Sequence, residues 1–146
     1  MGAQVNQMDG VVLTPLKIIP NPKGNILHAF KKSDNSFSQF GEVYFSFIDK
    51  DAIKGWKKHT KMTLNIVVPI GEIEFFIYDD RDQNSSTCKL FKVKLSMNNY
   101  QRLTISPDLW VAFKGIESEN MLMNFADIEH DPQESINADL TRFDWK

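Results

Sequence analysis

The chain has 146 residues, 42% of them hydrophobic and 25% charged, with 11 Phe; this is enough for one domain, since domains most often run about 100–150 residues, and it is too apolar for wholesale disorder. Seventeen Lys and Arg against 19 Asp and Glu leave a net charge of −2, which gives no electrostatic footprint for wrapping nucleic acid, so any anion site must be local. The single cysteine, Cys88, cannot form an internal disulfide, the opening residues lack the apolar run of a secretion signal, and apolar stretches such as 66–70 are far too short to span a bilayer. The expectation is a cytoplasmic protein that engages neither nucleic acid nor membrane.

In chain order, residues 1–12 are expected to form an N-terminal arm, flexible or in contact with a second copy. Short runs rich in Val, Ile, Phe and Tyr then recur at intervals of roughly ten residues, the spacing of an all-β sandwich or barrel. The clearest predicted strands are 43–48, 64–68, 72–78, 89–95, 102–105 and 121–126. Turn chemistry separates them: Pro-Ile-Gly at 69–71, a polar stretch at 79–86, Met-Asn-Asn at 97–99 and Ser-Pro-Asp at 106–108. In 72–78 the alternation breaks at Phe75, Phe76 and Ile77, which suits a strand buried on both faces. From His130 onward the tail is polar; Asp131-Pro132 opens one helical turn, and Phe143 and Trp145 are its expected apolar anchors.

The segment 53–62 carries four lysines and one of only three histidines. In an extended chain Lys57, His59 and Lys61 share one face, while Trp56, Lys58 and Thr60 share the other. Two readings follow. Either this is an edge strand whose lysines block edge-to-edge pairing, or its cations point into a barrel, where they persist only beside carboxylates or an anionic ligand such as a phosphorylated substrate. A metal site is disfavoured, because the position that would complete a His-x-His pair is Lys57, and a protonated lysine has no lone pair to give; no cofactor is expected. Nor does Cys88 have a local His, and there is no Gly-x-Ser-x-Gly motif for nucleophilic catalysis.

Several stretches together resemble the dTDP-4-dehydrorhamnose 3,5-epimerase family of metal-free cupins. Lys-Gly-Asn-Ile-Leu-His-Ala-Phe at 23–30 is similar to the family's Arg-Gly-Phe-Phe-x-Glu-x-Phe, and Ile-Lys-Gly-Trp-Lys-Lys-His at 53–59 to its Leu-Arg-Gly-Leu-His-x-Gln. The run 95–113 lies without a gap beside Leu-Ser-x-x-Asn-x-x-x-Leu-x-Ile-Pro-Pro-Gly-x-x-His-Gly-Phe. The likeness spans about residues 20–146 and is colinear. It implies a cupin-type double-stranded β-helix, or jelly roll, with a short C-terminal helical turn, assembled as a homodimer. It also implies action on a nucleotide-diphosphate-linked 4-keto-6-deoxysugar in surface-polysaccharide biosynthesis. In the family a His–Asp pair removes the proton beside the ketone, a Lys stabilises the enolate and a Tyr returns a proton to the opposite face.

Carried over position by position, the family's catalytic His falls on Lys57, its second His on Val111 and its acid Tyr on Asn124, whose amide cannot donate a proton as an acid. His59, two residues from the catalytic position and on the same face, or a neutral Lys57, then becomes the expected base, with Asp139 as the His-orienting carboxylate. Lys23 and Lys54 stand where the family has phosphate-binding arginines, and His28 where it has a nucleotide-contacting Glu. Lys61, Arg81 and Trp110 complete the expected substrate contacts, although Arg81 also suits a salt bridge to Asp79 or Asp80, and Trp110 a core position. His130 suits the surface. Two functions remain compatible with this set: an epimerase or isomerase with a rearranged acid/base pair, and a catalytically silent jelly roll that binds a sugar nucleotide or a pathway partner. A sugar 3,4-ketoisomerase shares the fold but needs two aligned histidines, against the single His59.

Overall fold

A computed structural model of the chain describes residues 8–81 and 89–143; Cys88 and Trp145, noted above, lie outside them. Twelve strands in these residues form two five-stranded antiparallel sheets and a two-stranded hairpin. The first sheet runs in the order β1 (Val11–Pro15), β9 (Gln101–Ile105), β6 (Leu64–Ile70), β11 (Met121–Ala126), β4 (Glu42–Phe47). The second runs β12 (Ser135–Asn137), β5 (Ile53–His59), β10 (Trp110–Gly115), β7 (Glu72–Tyr78), β8 (Leu90–Ser96). The hairpin pairs β2 (Ile18–Ile19) with β3 (Ile26–Leu27). Strands that follow one another in sequence mostly lie in opposite sheets, which gives the sandwich expected from the strand spacing and the jelly roll that the family resemblance implies.

Every predicted strand is present within one or two residues of its expected limits. The turn between β6 and β7 needs Gly71: its φ is 75°, and a Cβ there would sit 2.1 Å from the Glu119 carbonyl oxygen. Of the residues expected in the N-terminal arm, 1–7 lie outside the described residues, whereas Met8 and Val11 are buried in the core and residues 11 and 12 belong to β1, which pairs along its whole length with β9. Burying two large apolar side chains favours holding residues 8–12 against the sandwich, with the strand itself starting at Val11.

Two apolar layers result. The main core lies between the sheets and includes Ile73, Phe75 and Ile77 from the inner face of β7, with Leu103 and Ile105 from β9. A second layer covers the outside of the second sheet, where Trp56, Phe76, Trp110 and Ala112 pack under Leu140 and Phe143 of the tail. Phe143 stacks on Tyr78 at 4.2 Å between ring centroids and meets Trp56 edge-on at 5.5 Å. The tail thus explains why Phe75, Phe76 and Ile77 are all buried: one face looks to the core and the other is roofed by the chain end. The expected helical turn is a single 3-10 turn, Pro132–Glu134, capped by Asp131, whose side chain accepts from the Gln133 N–H at 3.0 Å. Among the described residues no helix is long and apolar enough to cross a membrane.

Candidate active site

At one end of the sandwich the two sheets part around a cavity of about 420 Å3, within the range of small-molecule sites. Its walls come from different sheets. Tyr44 and Ser46 of β4 and Asn124 of β11 line one side, and Lys54, Lys57 and His59 of β5 line the other. Leu64, Ile66, Val111 and Leu122 form an apolar floor.

The second wall depends on a bulge. Lys57 pairs with Val111 and Lys54 with Phe113, so three steps along β5 oppose two along β10. Strict alternation would send Lys54 to the opposite face from Lys57; the extra residue brings both to the cavity. Gly55 makes this possible, with φ of 139° and a backbone so close to β10 that a Cβ would lie 2.6 Å from the Ala112 Cβ. Lys54 spans the gap between the sheets, donating from Nζ to the Phe47 carbonyl at 2.7 Å and to Ser46 Oγ at 3.1 Å. The Lys57 side chain makes neither hydrogen bond nor ion pair among the described residues; the residue is exposed at the mouth-side wall of the cavity, where its ammonium is open to an anion.

The sharpest pairing in the site is His59 with Glu134. The imidazole Nδ1 lies 2.8 Å from Glu134 Oε1. The other carboxylate oxygen, Oε2, accepts the backbone N–H groups of Lys61 at 3.0 Å and Met62 at 2.9 Å. Burial works against the Glu134 charge, the side chain being 2% exposed, but the hydrogen bonds from His59, Lys61 and Met62 outweigh it and hold the carboxyl below its ordinary value of 4.5. An ionised carboxylate only accepts, so Nδ1 is the donor and the lone pair of the neutral ring sits on Nε2. That is the state of a general base held in one orientation.

Across the cavity Asn124 is 1% exposed. Its Oδ1 accepts the Asn65 N–H at 3.1 Å, and its Nδ2 donates to Tyr44 Oη at 3.1 Å. Burial raises the Tyr44 hydroxyl above its ordinary value, against the opposing hydrogen bond from Asn124.

Of the residues expected from sequence, Lys54, Lys57, His59 and Asn124 meet at the cavity. The others do not line it within this chain. Asp139 is exposed and accepts from the Thr141 N–H and Oγ1, each at 3.0 Å; the expectation that it orients His59 is corrected, because Glu134 takes that place. Lys61 lies past the end of β5, where the strand alternation that placed it beside His59 has stopped. Lys23 is exposed on the turn between β2 and β3, its N–H bonded to Asn21 Oδ1 at 2.8 Å. His28 lines a separate cavity of about 230 Å3 with Arg102. Arg81 is bound to Asp79, with Nε 2.9 Å from Oδ1, and to the Asp9 carbonyl. Trp110 belongs to the outer apolar layer and donates to Asp80 Oδ2 at 3.0 Å. His130 is exposed. Among the described residues no group of three His, Cys, Asp or Glu side chains could hold a metal ion.

Sequence reasoning missed Tyr44 and Glu134. Tyr44 was within reach, since it alternates with the outward Val43 and Phe45 on a strand correctly foreseen. Glu134 stands in the Asp-Pro-Gln-Glu of the helical turn, but nothing local ties that turn to His59.

No protein-family model matches the sequence. Among curated proteins the chain is 26% identical over 136 residues to the probable low-salt glycan biosynthesis epimerase Agl13 of Haloferax volcanii, covering 88% of this chain and 87% of that one. Among solved structures it is similar to the dTDP sugar isomerase of Desulfovibrio desulfuricans, with 34% identity, a TM-score of 0.90 and coverage of 98% of this chain and 95% of the other. It is also similar to the dTDP-4-dehydrorhamnose 3,5-epimerase of Sulfolobus tokodaii, with 25% identity, a TM-score of 0.82 and coverage of 97% and 84%.

Proposed function

The chain belongs to the family of sugar-nucleotide isomerases and epimerases related to dTDP-4-dehydrorhamnose 3,5-epimerase, and from that premise we propose that it acts on a nucleotide-diphosphate-linked 4-keto-6-deoxysugar by removing a proton beside the ketone. The observation that carries this reading is the His59–Glu134 pair at 2.8 Å on the wall of the cavity. His59 Nε2 takes the ring proton, and the electron pair moves onto the carbonyl oxygen as an enolate. Glu134 holds the imidazole in its accepting tautomer and stabilises the imidazolium that forms. Lys57 then matters most, because a cation at the wall of a site with an apolar floor stabilises the transient enolate more than the neutral ketone. Lys54 adds positive charge toward the diphosphate. No metal or cofactor is required by this scheme; the dTDP-sugar relatives support a dTDP-linked substrate, the glycan-biosynthesis relative supports a role in polysaccharide synthesis, and the reading places that role in the cytoplasm.

The alternative, a silent binding protein, rests on the replacement of the family's base by Lys57. An oriented histidine two positions along the same strand face argues for turnover instead. The test is to mix the protein with dTDP-, CDP- and UDP-linked 4-keto-6-deoxyhexoses in deuterated water and follow the ring protons by NMR. Loss of the signal beside the ketone is expected; nucleotide binding without any exchange would favour the silent reading.

The homodimer implied by the family is supported by the edge strand β4, whose outward Phe45 and Phe47 are 59% and 61% exposed, an apolar surface that suits a second copy. Sedimentation at micromolar concentration should give twice the chain mass, and Phe45→Glu should return the monomer.

A further inference from the structure

We propose that the smaller cavity, on the outer face of the first sheet, is a second binding site, built for a phosphate group and independent of the cavity between the sheets. Arg102 stands at its base. On β9, Leu103 and Ile105 belong to the core between the sheets, so alternation turns Arg102 to the opposite, outer face. There the segment 28–34 closes over it, and the enclosed space is about 230 Å3. Sites for drug-sized ligands usually measure about 300–1,000 Å3, so this space suits a small anion better than a nucleotide sugar.

A guanidinium keeps its charge and donates from every nitrogen, so a buried one needs acceptors all round. Arg102 is 2% exposed. Its Nη1 donates to the Ala29 carbonyl at 2.9 Å and to Asp34 Oδ2 at 3.3 Å, and its Nη2 donates to Ser36 Oγ at 3.1 Å. The Phe30 ring covers the guanidinium, its centroid 4.4 Å away. The Nε–H has no partner among the described residues. Nor does Asp34 offset the burial: desolvation outweighs its stabilising effect and leaves the Arg102 group below its ordinary value. A buried cation with an open donor and too little negative charge beside it is stabilised by a bound anion.

The rest of the lining carries the same sign of charge. Lys17 and Lys31 stand exposed at the rim beside His28, and neither lysine side chain has a hydrogen bond or ion pair among the described residues. Asp34 is the acidic residue of the wall, and its Oδ2 is already engaged by Arg102 and by the Lys31 N–H at 2.8 Å. Thr14, the cross-strand partner of Arg102, lines the same wall and offers a hydroxyl. Lys17, Lys31 and Arg102 against Asp34 leave an excess of two positive charges, which matches the dianion of a phosphate better than the single charge of a carboxylate. The flexible ammonium groups draw the anion in, and the fixed guanidinium at the base orients it.

The test is titration of inorganic phosphate, followed by calorimetry and by the arginine Nε–H resonances in NMR, with dTDP present in excess to occupy the cavity between the sheets. Phosphate should still bind, and it should shift the Arg102 Nε–H signal, identified by its absence in Arg102→Lys. Replacing both rim lysines, Lys17→Gln with Lys31→Gln, should weaken phosphate by about tenfold or more, as expected for lost charge-assisted hydrogen bonds, and leave dTDP binding unchanged. Arg102→Lys keeps the charge but loses the Nε–H and the planar fork, and should weaken phosphate to a similar extent. Phenyl phosphate identifies the occupant: tighter binding than inorganic phosphate assigns the site to a phosphomonoester, and equal or weaker binding assigns it to free phosphate. Phosphate that fails to bind beside dTDP, or that the double lysine variant binds as well as the wild-type protein does, overturns the proposal. So does an Arg102 signal that phosphate leaves in place. If Arg102→Lys does not fold, the exposed lysine pair still decides. None of these readouts depends on turnover, so the site stands or falls separately from the reaction proposed above.

Discussion

On one face of β5, Trp56 is 1% exposed beneath Phe143, and the ammonium of Lys58 sits over the Trp110 ring at 5.1 Å. On the other face Lys54, Lys57 and His59 look into a cavity. In a sandwich the face toward the opposite sheet normally carries the apolar side chains, and the outer face carries the charges. This strand reverses that rule, and the reversal is stable only because each face is given something unusual. The outer tryptophan is roofed by the C-terminal tail, and the inner histidine is paired with a buried carboxylate. A sheet face that is polar where packing wants it apolar marks a site at which binding, and not core formation, decides the residue types.

Each face can be broken separately. The largest effect belongs to the inner face: His59→Asn should slow deuterium exchange by about 10²–10⁴ while leaving calorimetric nucleotide binding within a few-fold, because the base is lost and the cations remain. Next comes the outer face. Trp56→Ala should lower stability by about 3–5 kcal/mol in urea unfolding, the usual cost of emptying a buried aromatic position; activity per folded molecule should fall much less. Lys57→Met, which keeps the length of the side chain without its charge, should reduce kcat/KM by about 10²-fold, in the range found for removing one group that stabilises a developing oxyanion. A rise in KM with kcat unchanged would mean that Lys57 serves binding and not the enolate.

Glu134 sharpens the comparison through pH. Its folded value is depressed below 4.5, so the stability it contributes is fully present above that pH and is lost as pH falls through the lower, folded value. The unfolding free energy of the wild-type protein should therefore decline on acidification below about 4.5, and Glu134→Gln should flatten the part of that decline due to this residue. An identical slope in both proteins would show that the pairing with His59 and two backbone N–H groups contributes nothing to the folded state. The smallest effect is expected for Lys58→Ala on the outer face, within about 0.5 kcal/mol in stability and with exchange unchanged; a large loss of exchange would mean that the two faces have been assigned the wrong way round.

The strands with strong β-branched and aromatic runs were legible in the sequence because their signal is local: 72–78 could be read, even to burial on both faces. The alternation of Lys57 and His59 was legible for the same reason. Lys54 shares their face only through the bulge at Gly55, an insertion that period-two reasoning steps over. Lys61 was misplaced in the opposite sense, by extending the period beyond the last residue of the strand. The two missing site residues fail for a different reason. Glu134 lies 75 positions from His59, and Tyr44 lies 80 positions from Asn124; pairings of that span are made by the way strands cross between sheets, and no spacing rule along the chain encodes them. The family pattern supplied an aspartate for the histidine, and Asp139 was the nearest aspartate in the expected region. The fold used a glutamate five residues earlier instead, brought up by the 3-10 turn against the end of β5.

The most direct measurement is a crystal structure of the His59→Asn protein with a dTDP-linked 4-keto-6-deoxyhexose bound. The sugar should lie in the cavity between β4 and β5, with the carbon beside its ketone about 3–3.5 Å from the side chain at position 59, as a reacting pair requires, and with Lys57 facing the ketone oxygen. A sugar seated elsewhere, such as the smaller cavity beside His28 and Arg102, or turned so that only its nucleotide enters, would contradict the assignment of His59 as the base.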